Sequence, residues 1–150
     1  MIRAARTSDA QAICELINYY AERGRMLHRS LESVLESLRD FLVYVQDGTI
    51  LGCVALSISW HDLGEIRSLA VAAGRQGQGI GGDLVKQAIQ DGTALGLRRI
   101  FALTYEERFF VRLGFHVVDK DTLPTKVWRD CIHCPRAEAC DEIAVVFDLN

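Results

Sequence analysis

Four glycines fall within six residues of the run Arg75-Gln76-Gly77-Gln78-Gly79-Ile80-Gly81-Gly82, and no other feature of the chain restricts its fold as tightly. Glycine reaches positive φ without a Cβ penalty, so several backbone N–H groups can converge on one point there. Upstream, residues 65–71 (Glu-Ile-Arg-Ser-Leu-Ala-Val) read as a strand. Downstream, Leu84, Val85, Ala88, Ile89 and Leu95 recur at helical spacing as far as a stop at Gly96. A glycine loop that ends in a helix N-terminus adds that terminus's partial positive charge to the converging amides, which makes a cradle for phosphate. The run lacks the Lys-Ser/Thr ending of a nucleotide-hydrolysing P-loop. It also lacks the Gly-x-Gly-x-x-Gly order, with a ribose-binding acid further on, of a dinucleotide fold. The other reading is a turn whose glycines serve only tight strand-to-helix packing.

The rest of the chain fits around this unit as a single domain over residues 1–150, in which residues 118–150 form a C-terminal segment with a cysteine cluster and the last strand. With 150 residues, 49% of them hydrophobic, the chain can build one core, and only two prolines interrupt it. Residues 2–5 read as a strand. Thr7 or Ser8 then caps a helix carrying Ile13, Leu16, Ile17 and Tyr20, which ends near Gly24; Ser30 opens a second helix with Leu31, Val34, Leu35 and Leu38. At residue 42 the period changes. Residues 42–45 and 50–60 form a hairpin around Gln46-Asp47-Gly48-Thr49, where Asp-Gly supplies the positive φ of a tight turn. Residues 100–104, 116–118 and 143–148 read as strands, and 106–113 as a short helix. The fold class is α+β (α/β), with a central mixed, mostly antiparallel sheet. Its hairpin strands arrive in sequence, while a crossover helix makes 65–71 and 100–104 parallel.

Charge narrows the partners. With 17 Lys and Arg against 20 Asp and Glu, the net charge is −3, so no global positive field favours nucleic acid or an anionic membrane; any anion must be gripped locally. No apolar run reaches the length of a membrane span, and the start of the chain has no apolar signal region. The expectation is a cytoplasmic protein without nucleic-acid or membrane partners.

Gln76-Gly77-Gln78-Gly79-Ile80-Gly81 resembles the Gln/Arg-x-x-Gly-x-Gly/Ala signature of the GCN5-related N-acetyltransferases (GNAT), and it follows the expected strand. Phe110-Val111-Arg112-Leu113-Gly114-Phe115 is similar to the aromatic-x-x-x-Gly-Phe segment of that family's last helix. The resemblance runs from the opening strand to about Phe115 and implies the GNAT fold, whose parallel strands splay at the acetyl-CoA site. It further implies that amides from Gln76, Gly77, Gln78, Gly79, Ile80, Gly81 and Gly82 hold the pyrophosphate of acetyl-CoA as co-substrate. Backbone atoms of Leu69, Ala70 and Val71 would pair with the pantetheine arm, and Phe110 would touch the cofactor.

The implied chemistry is direct attack of an amine on the thioester through a tetrahedral intermediate. Glu65 matches an acidic position used as base in related enzymes, although a strand-end carboxylate can equally be a solvated surface charge. The N–H of Leu69 or its neighbour is the oxyanion donor. Many family members carry a tyrosine where this chain has Phe110, so Tyr105 or water must protonate the thiolate. A non-catalytic acyl-CoA-binding module is the reading that this substitution favours.

Residues 100–105, Phe109-Phe110 and the stretch Leu123-Pro124-Thr125-Lys126-Val127-Trp128-Arg129-Asp130-Cys131 resemble short, stand-alone amino-acid N-acetyltransferases of the N-acetylglutamate synthase type. That resemblance implies L-glutamate as acceptor, in the first step of arginine biosynthesis; a protein N-terminus, a lysine or a small amine is the alternative. Two carboxylates require two cationic contacts, and Arg25, Arg67 and Lys126 are the candidates, each of which can equally be surface charge. Family members are often homodimers.

Five cysteines, an odd number, read as packed or reactive thiols or ligands. Cys14 and Cys53 fall at apolar positions. Cys131, Cys134 and Cys140, near His133 and Asp141, suit a zinc site, packed thiols, a redox pair or a brace for the acceptor pocket. The ligand set is incomplete, and no metal is assigned.

Overall fold

Side-chain alternation in the longest apolar run explains the layering. In the strand Thr49–Trp60, Cys53 and Ala55 face one side and Val54 and Leu56 the other, and all four are buried. A strand that is apolar on both faces needs cover on both. The computed structural model, which describes residues 1–124 and 142–149, supplies it with helices on each side of one sheet. In chain order the elements are β1 (Ile2–Ala4), α1 (Ala10–Ala21), α2 (Leu31–Glu36), β2 (Phe41–Gln46), β3 (Thr49–Trp60), β4 (Leu63–Val71), α3 (Ile80–Leu95), β5 (Arg99–Thr104), α4 (Glu107–Arg112), β6 (His116–Val118) and β7 (Ile143–Asp148).

Cys53 and Ala55 pack with Ile13, Ile17, Val34 and Phe41 beneath α1 and α2. Val54 and Leu56 pack with Leu84, Val85, Ala88 and Phe110 beneath α3 and α4. Each fully buried Leu or Ile in these layers contributes about 1.5–3 kcal/mol relative to exposure. The expected β2–β3 turn forms at Asp47 (φ 52) and Gly48 (φ 75).

Among the described residues the strand order is β1-β2-β3-β4-β5-β7-β6, and only β4 and β5 run parallel. Their pairing ends early, at Leu63–Arg99, Gly64–Ile100 and Glu65–Phe101. Beyond that point β4 stays paired with β3 as far as Val71–Gly52, and β5 with β7 as far as Thr104–Ile143. Each strand keeps its outer neighbour and abandons the other, so the sheet forks at Glu65. The splayed parallel pair is therefore present.

Several local expectations need correction. Neither Thr7 nor Ser8 caps α1. These residues belong to a 3₁₀ turn, Thr7–Asp9, and Asp9 is the acceptor, taking the Arg6 N–H at 2.7 Å. Leu38 lies beyond α2 in a second 3₁₀ turn, Leu38–Asp40. Leu31, Leu35 and Leu95 match a helical stripe but are exposed: in α2 only Val34 is buried, and Leu95 is the last residue of α3.

Asp9 also receives Arg3 through Nη1 at 2.6 Å and Nη2 at 3.1 Å, and it is only 6% exposed. The Arg3 bond holds its carboxyl below the usual range. A lowered folded-state value means that this stabilisation is complete above about pH 5 and is lost as pH falls below it. Asp9→Ala is expected to cost about 2–4 kcal/mol at neutral pH and to flatten the acid limb of the stability curve; urea unfolding across pH 3–7 checks both.

Candidate active site

The fork opens into a cleft of about 1760 Å³. Its walls are the free-running half of β4, the glycine loop with the start of α3, the end of β5 with α4, and the α1–α2 connection. Among the described residues the lining carries seven Lys and Arg side chains against four carboxylates, the reverse of the chain's net balance. This is a local positive field in an acidic protein, as anion binding here requires.

At the head of the cleft Gly77 has φ 80 and Gly79 φ 85. A Cβ on either would meet nothing within 4 Å, so backbone conformation and not packing demands glycine at both. The first bond of α3 runs from the Asp83 N–H to the Gly79 carbonyl at 3.0 Å, which leaves the amides of Ile80, Gly81 and Gly82 ahead of the helical ladder. Among the described residues none of the amides from Gln76 to Gly82 donates within the protein. Arg75, which binds Gln46 Oε1 through Nη2 at 2.7 Å, keeps a buried Nε without a partner beside them. Gln78 is the one expected loop residue that does not line the cleft; it is exposed.

Along β4 the ladder with β3 shifts register between Cys53–Ala70 and Ala55–Arg67, so Ser68 and Leu69 oppose the single residue Val54. Ser68 takes φ 53, a left-handed conformation unusual for serine, and the result is a bulge in the middle of the cleft wall. Leu69 and Val71 are half-buried there, and Ala70 is 3% exposed with its side chain in the core. Glu65 sits at the fork itself, its side chain 17% exposed and 3.9 Å from Arg67.

Sequence reading placed Tyr20 on the apolar face of the first helix, but its hydroxyl belongs to the site. It donates to the Val71 carbonyl at 2.5 Å and accepts from Gln76 Nε2 at 2.5 Å. Burial raises the hydroxyl's pKa, which keeps it a donor. One of the two acceptor sites of Val71, where a cofactor arm was expected to pair, is thereby taken.

Arg29 also escaped sequence reading, although the loop Arg25-Met26-Leu27-His28-Arg29 is visibly basic. Its half-buried guanidinium reaches Ser68 Oγ at 3.2 Å through Nη1 and Ser33 Oγ at 3.1 Å through Nε. Among the described residues no carboxylate is within ion-pair distance of it, although the charge of Asp40 acts on it from farther away. Burial, then the charge of Arg67, pushes its pKa down, so the site favours an incoming anion. Arg25 is in the cleft, but its guanidinium contacts Glu106 across the opening. Lys126 lies outside the described residues, as do Cys131, Cys134 and Cys140.

Tyr105 is half-buried in the lining. Phe110 lines the cleft too but is 4% exposed, stacked edge-on against Phe109 and Phe115 with centroids 5.0 Å apart in each pair. It also belongs to the core layer beneath α3 and α4. Phe109, whose ring would lie 3.4 Å from a Cβ on Gly81, is the aromatic that faces the glycine loop. Cys53 lies 3.5 Å from the Ser68 carbonyl, yet burial pushes its thiol up to about 12, so it supplies no thiolate for a covalent step. Among the described residues no group of three or more His, Cys, Asp or Glu could hold a metal, and no helix is long and apolar enough to cross a membrane.

The acetyltransferase (GNAT) family model matches residues 9–115. An uncharacterized N-acetyltransferase of Chlorobaculum tepidum is 43% identical over 148 residues, which cover 99% of this chain and 96% of that protein. An amino-acid acetyltransferase of Mycobacterium tuberculosis is 37% identical over 131 residues, 85% of this chain and 75% of the other. Among solved structures, the N-acetylglutamate synthase of Neisseria gonorrhoeae complexed with coenzyme A and N-acetyl-glutamate superposes with a TM-score of 0.90 at 32% identity. That match covers 100% of this chain and 35% of that one.

Proposed function

The chain belongs to the acetyltransferase (GNAT) family, and on that premise we propose that it transfers the acetyl group of acetyl-CoA to the α-amino group of an amino acid, with L-glutamate as acceptor and N-acetylglutamate, the first product of arginine biosynthesis, as outcome. The observation that carries the reading is the set of uncommitted amides from Gln76 to Gly82 at the head of a forked sheet. The fit is chemical as well as spatial: unpaired N–H donors, a helix N-terminus and the orphaned Arg75 Nε all favour a diphosphate.

Acetyl-CoA supplies a thioester carbonyl open to attack by an amine. The residues of this chain do the rest. The loop amides hold the diphosphate, Leu69 to Val71 and Phe109 line the path of the arm, and Phe110 backs it from the core. Glu65 takes the proton of the acceptor's ammonium, since only the neutral amine is a nucleophile. The Leu69 N–H, at the bulge, donates to the acyl oxygen as charge builds on it. Tyr105 or water returns a proton to the departing sulfur.

Arg29 and Arg67, with Ser68 between them, bind the acceptor's α-carboxylate and share its side-chain carboxylate with Arg25 through charge-assisted bonds. Lys126 stays a further candidate for the same task, and Arg25 enters through its pair with Glu106.

Release of free thiol in the presence of acetyl-CoA and each amino acid in turn tests the proposal. The expected result is saturable release with glutamate, matched by N-acetylglutamate in the mass spectrum, and a fall of roughly 30- to 100-fold in kcat/KM for glutamate in Arg29→Met. Release with peptide N-termini or lysine alone would contradict the acceptor; tight cofactor binding with no turnover for any amine would support a binding module.

A further inference from the structure

Arg25 and Glu106 stand 81 positions apart in sequence, and their side chains meet through Arg25 Nη2 and Glu106 Oε1 across the mouth of the cleft. Both backbones are fixed. The Arg25 N–H is held by the Tyr20 carbonyl at 3.0 Å, just after Gly24 turns the chain at φ 71. The Glu106 N–H is held by Thr104 Oγ1 at 2.8 Å, and its carbonyl accepts the Phe110 N–H at 3.3 Å. The pair therefore joins two walls of the cleft through two solvent-facing side chains, 55% and 57% exposed. An exposed ion pair is weak, with a stabilisation in the range that a single carboxylate ligand can overcome.

Arg23 cannot substitute for Arg25, because its guanidinium lies 3.6 Å over the Tyr19 ring and bonds the Tyr19 carbonyl at 2.7 Å. Arg25 has as its partner a carboxylate from a different wall of the cleft, and that partner has the chemistry of an acidic acceptor's side chain.

We propose that Glu106 is a specificity-determining residue: it occupies Arg25 as an internal competitor for the acceptor's side-chain carboxylate and so narrows the preference of the site for acidic over neutral amino acids. The inference rests on the amino-acid acceptor reading above. A dicarboxylic acceptor must displace Glu106 to reach Arg25, and the displaced carboxylate then remains nearby as a like charge. A neutral side chain neither gains from Arg25 nor meets that repulsion.

The test compares KM for glutamate and glutamine, near-isosteres that differ by one charge, in wild type, Glu106→Gln, Arg25→Gln and the double variant. Glu106→Gln is expected to lower the glutamate KM about three- to fivefold and leave the glutamine KM in place. In the Arg25→Gln background the same change should have no effect on the ratio, and added salt should shrink the wild-type to Glu106→Gln difference. Equal shifts for both amino acids, or an unchanged ratio in an enzyme that acetylates glutamate, would overturn the role of Glu106 alone. A wild-type enzyme that acetylates neither amino acid would overturn the acceptor reading and this inference together.

Discussion

Glu65→Gln is expected to lower kcat by about 10²- to 10⁴-fold while leaving the KM for acetyl-CoA near its wild-type value. The substitution keeps the shape of a side chain that is 17% exposed at the point where β4 and β5 part, and it removes only the ability to accept a proton. Arg67 Nε stands 3.9 Å from the carboxylate of this proposed base. Without it the acceptor must reach the site already neutral. The residual rate should then climb with pH through the acceptor's own amine titration, where the wild-type profile levels off. Steady-state kinetics between pH 6 and 10 reads both features. A variant that keeps a third of wild-type kcat would assign Glu65 to structure.

The second large effect belongs to the glycine loop. Gly79→Val should raise the KM for acetyl-CoA by roughly 10- to 100-fold, because a β-branched residue does not hold φ 85 and the chain must relax away from it, re-aiming the amides on either side. Open space around the position excludes a clash as the cause. Gly48→Val is the matched control. Gly48 has φ 75 and equally empty surroundings but sits in the β2–β3 turn away from the cleft. Both variants should lose a similar stability, about 1–2 kcal/mol, and only Gly79→Val should lose cofactor. If the two raise KM alike, global strain and not amide geometry is responsible.

Much of this architecture is legible in the chain's own pattern, for physical reasons that differ from place to place. The continuous apolar run in Thr49–Trp60, helical spacing in Ile80–Leu95 and Asp-Gly at the hairpin are local signals, and each element forms where its signal lies. The glycine loop is legible because only glycine accepts its backbone angles. Where the signal is tertiary, reading stops. The fork between β4 and β5 depends on which neighbour each strand keeps, and the bulge places a left-handed Ser68 that no local preference announces.

Side chains follow the same division. Arg29 and Tyr20 enter the site only because α1 packs against β4 and the α1–α2 connection reaches Ser68, an arrangement that their own sequence neighbourhood does not encode. Arg25 lines the cleft, and its partner Glu106 comes from a distant loop. Phe110 reads as a cofactor contact by its motif; it is 4% exposed and its ring packs edge-on against Phe109, which faces Gly81.

The proposed grip of the loop amides on a diphosphate is reported directly by backbone amide resonances. In a ¹⁵N-labelled protein, adding coenzyme A should move the amide signals of residues 76–82 strongly, while pantetheine, which lacks the diphosphate, should leave them nearly in place even where it shifts Leu69 to Val71. Loop amides that stay still at saturating coenzyme A, or that respond equally to pantetheine, would contradict it.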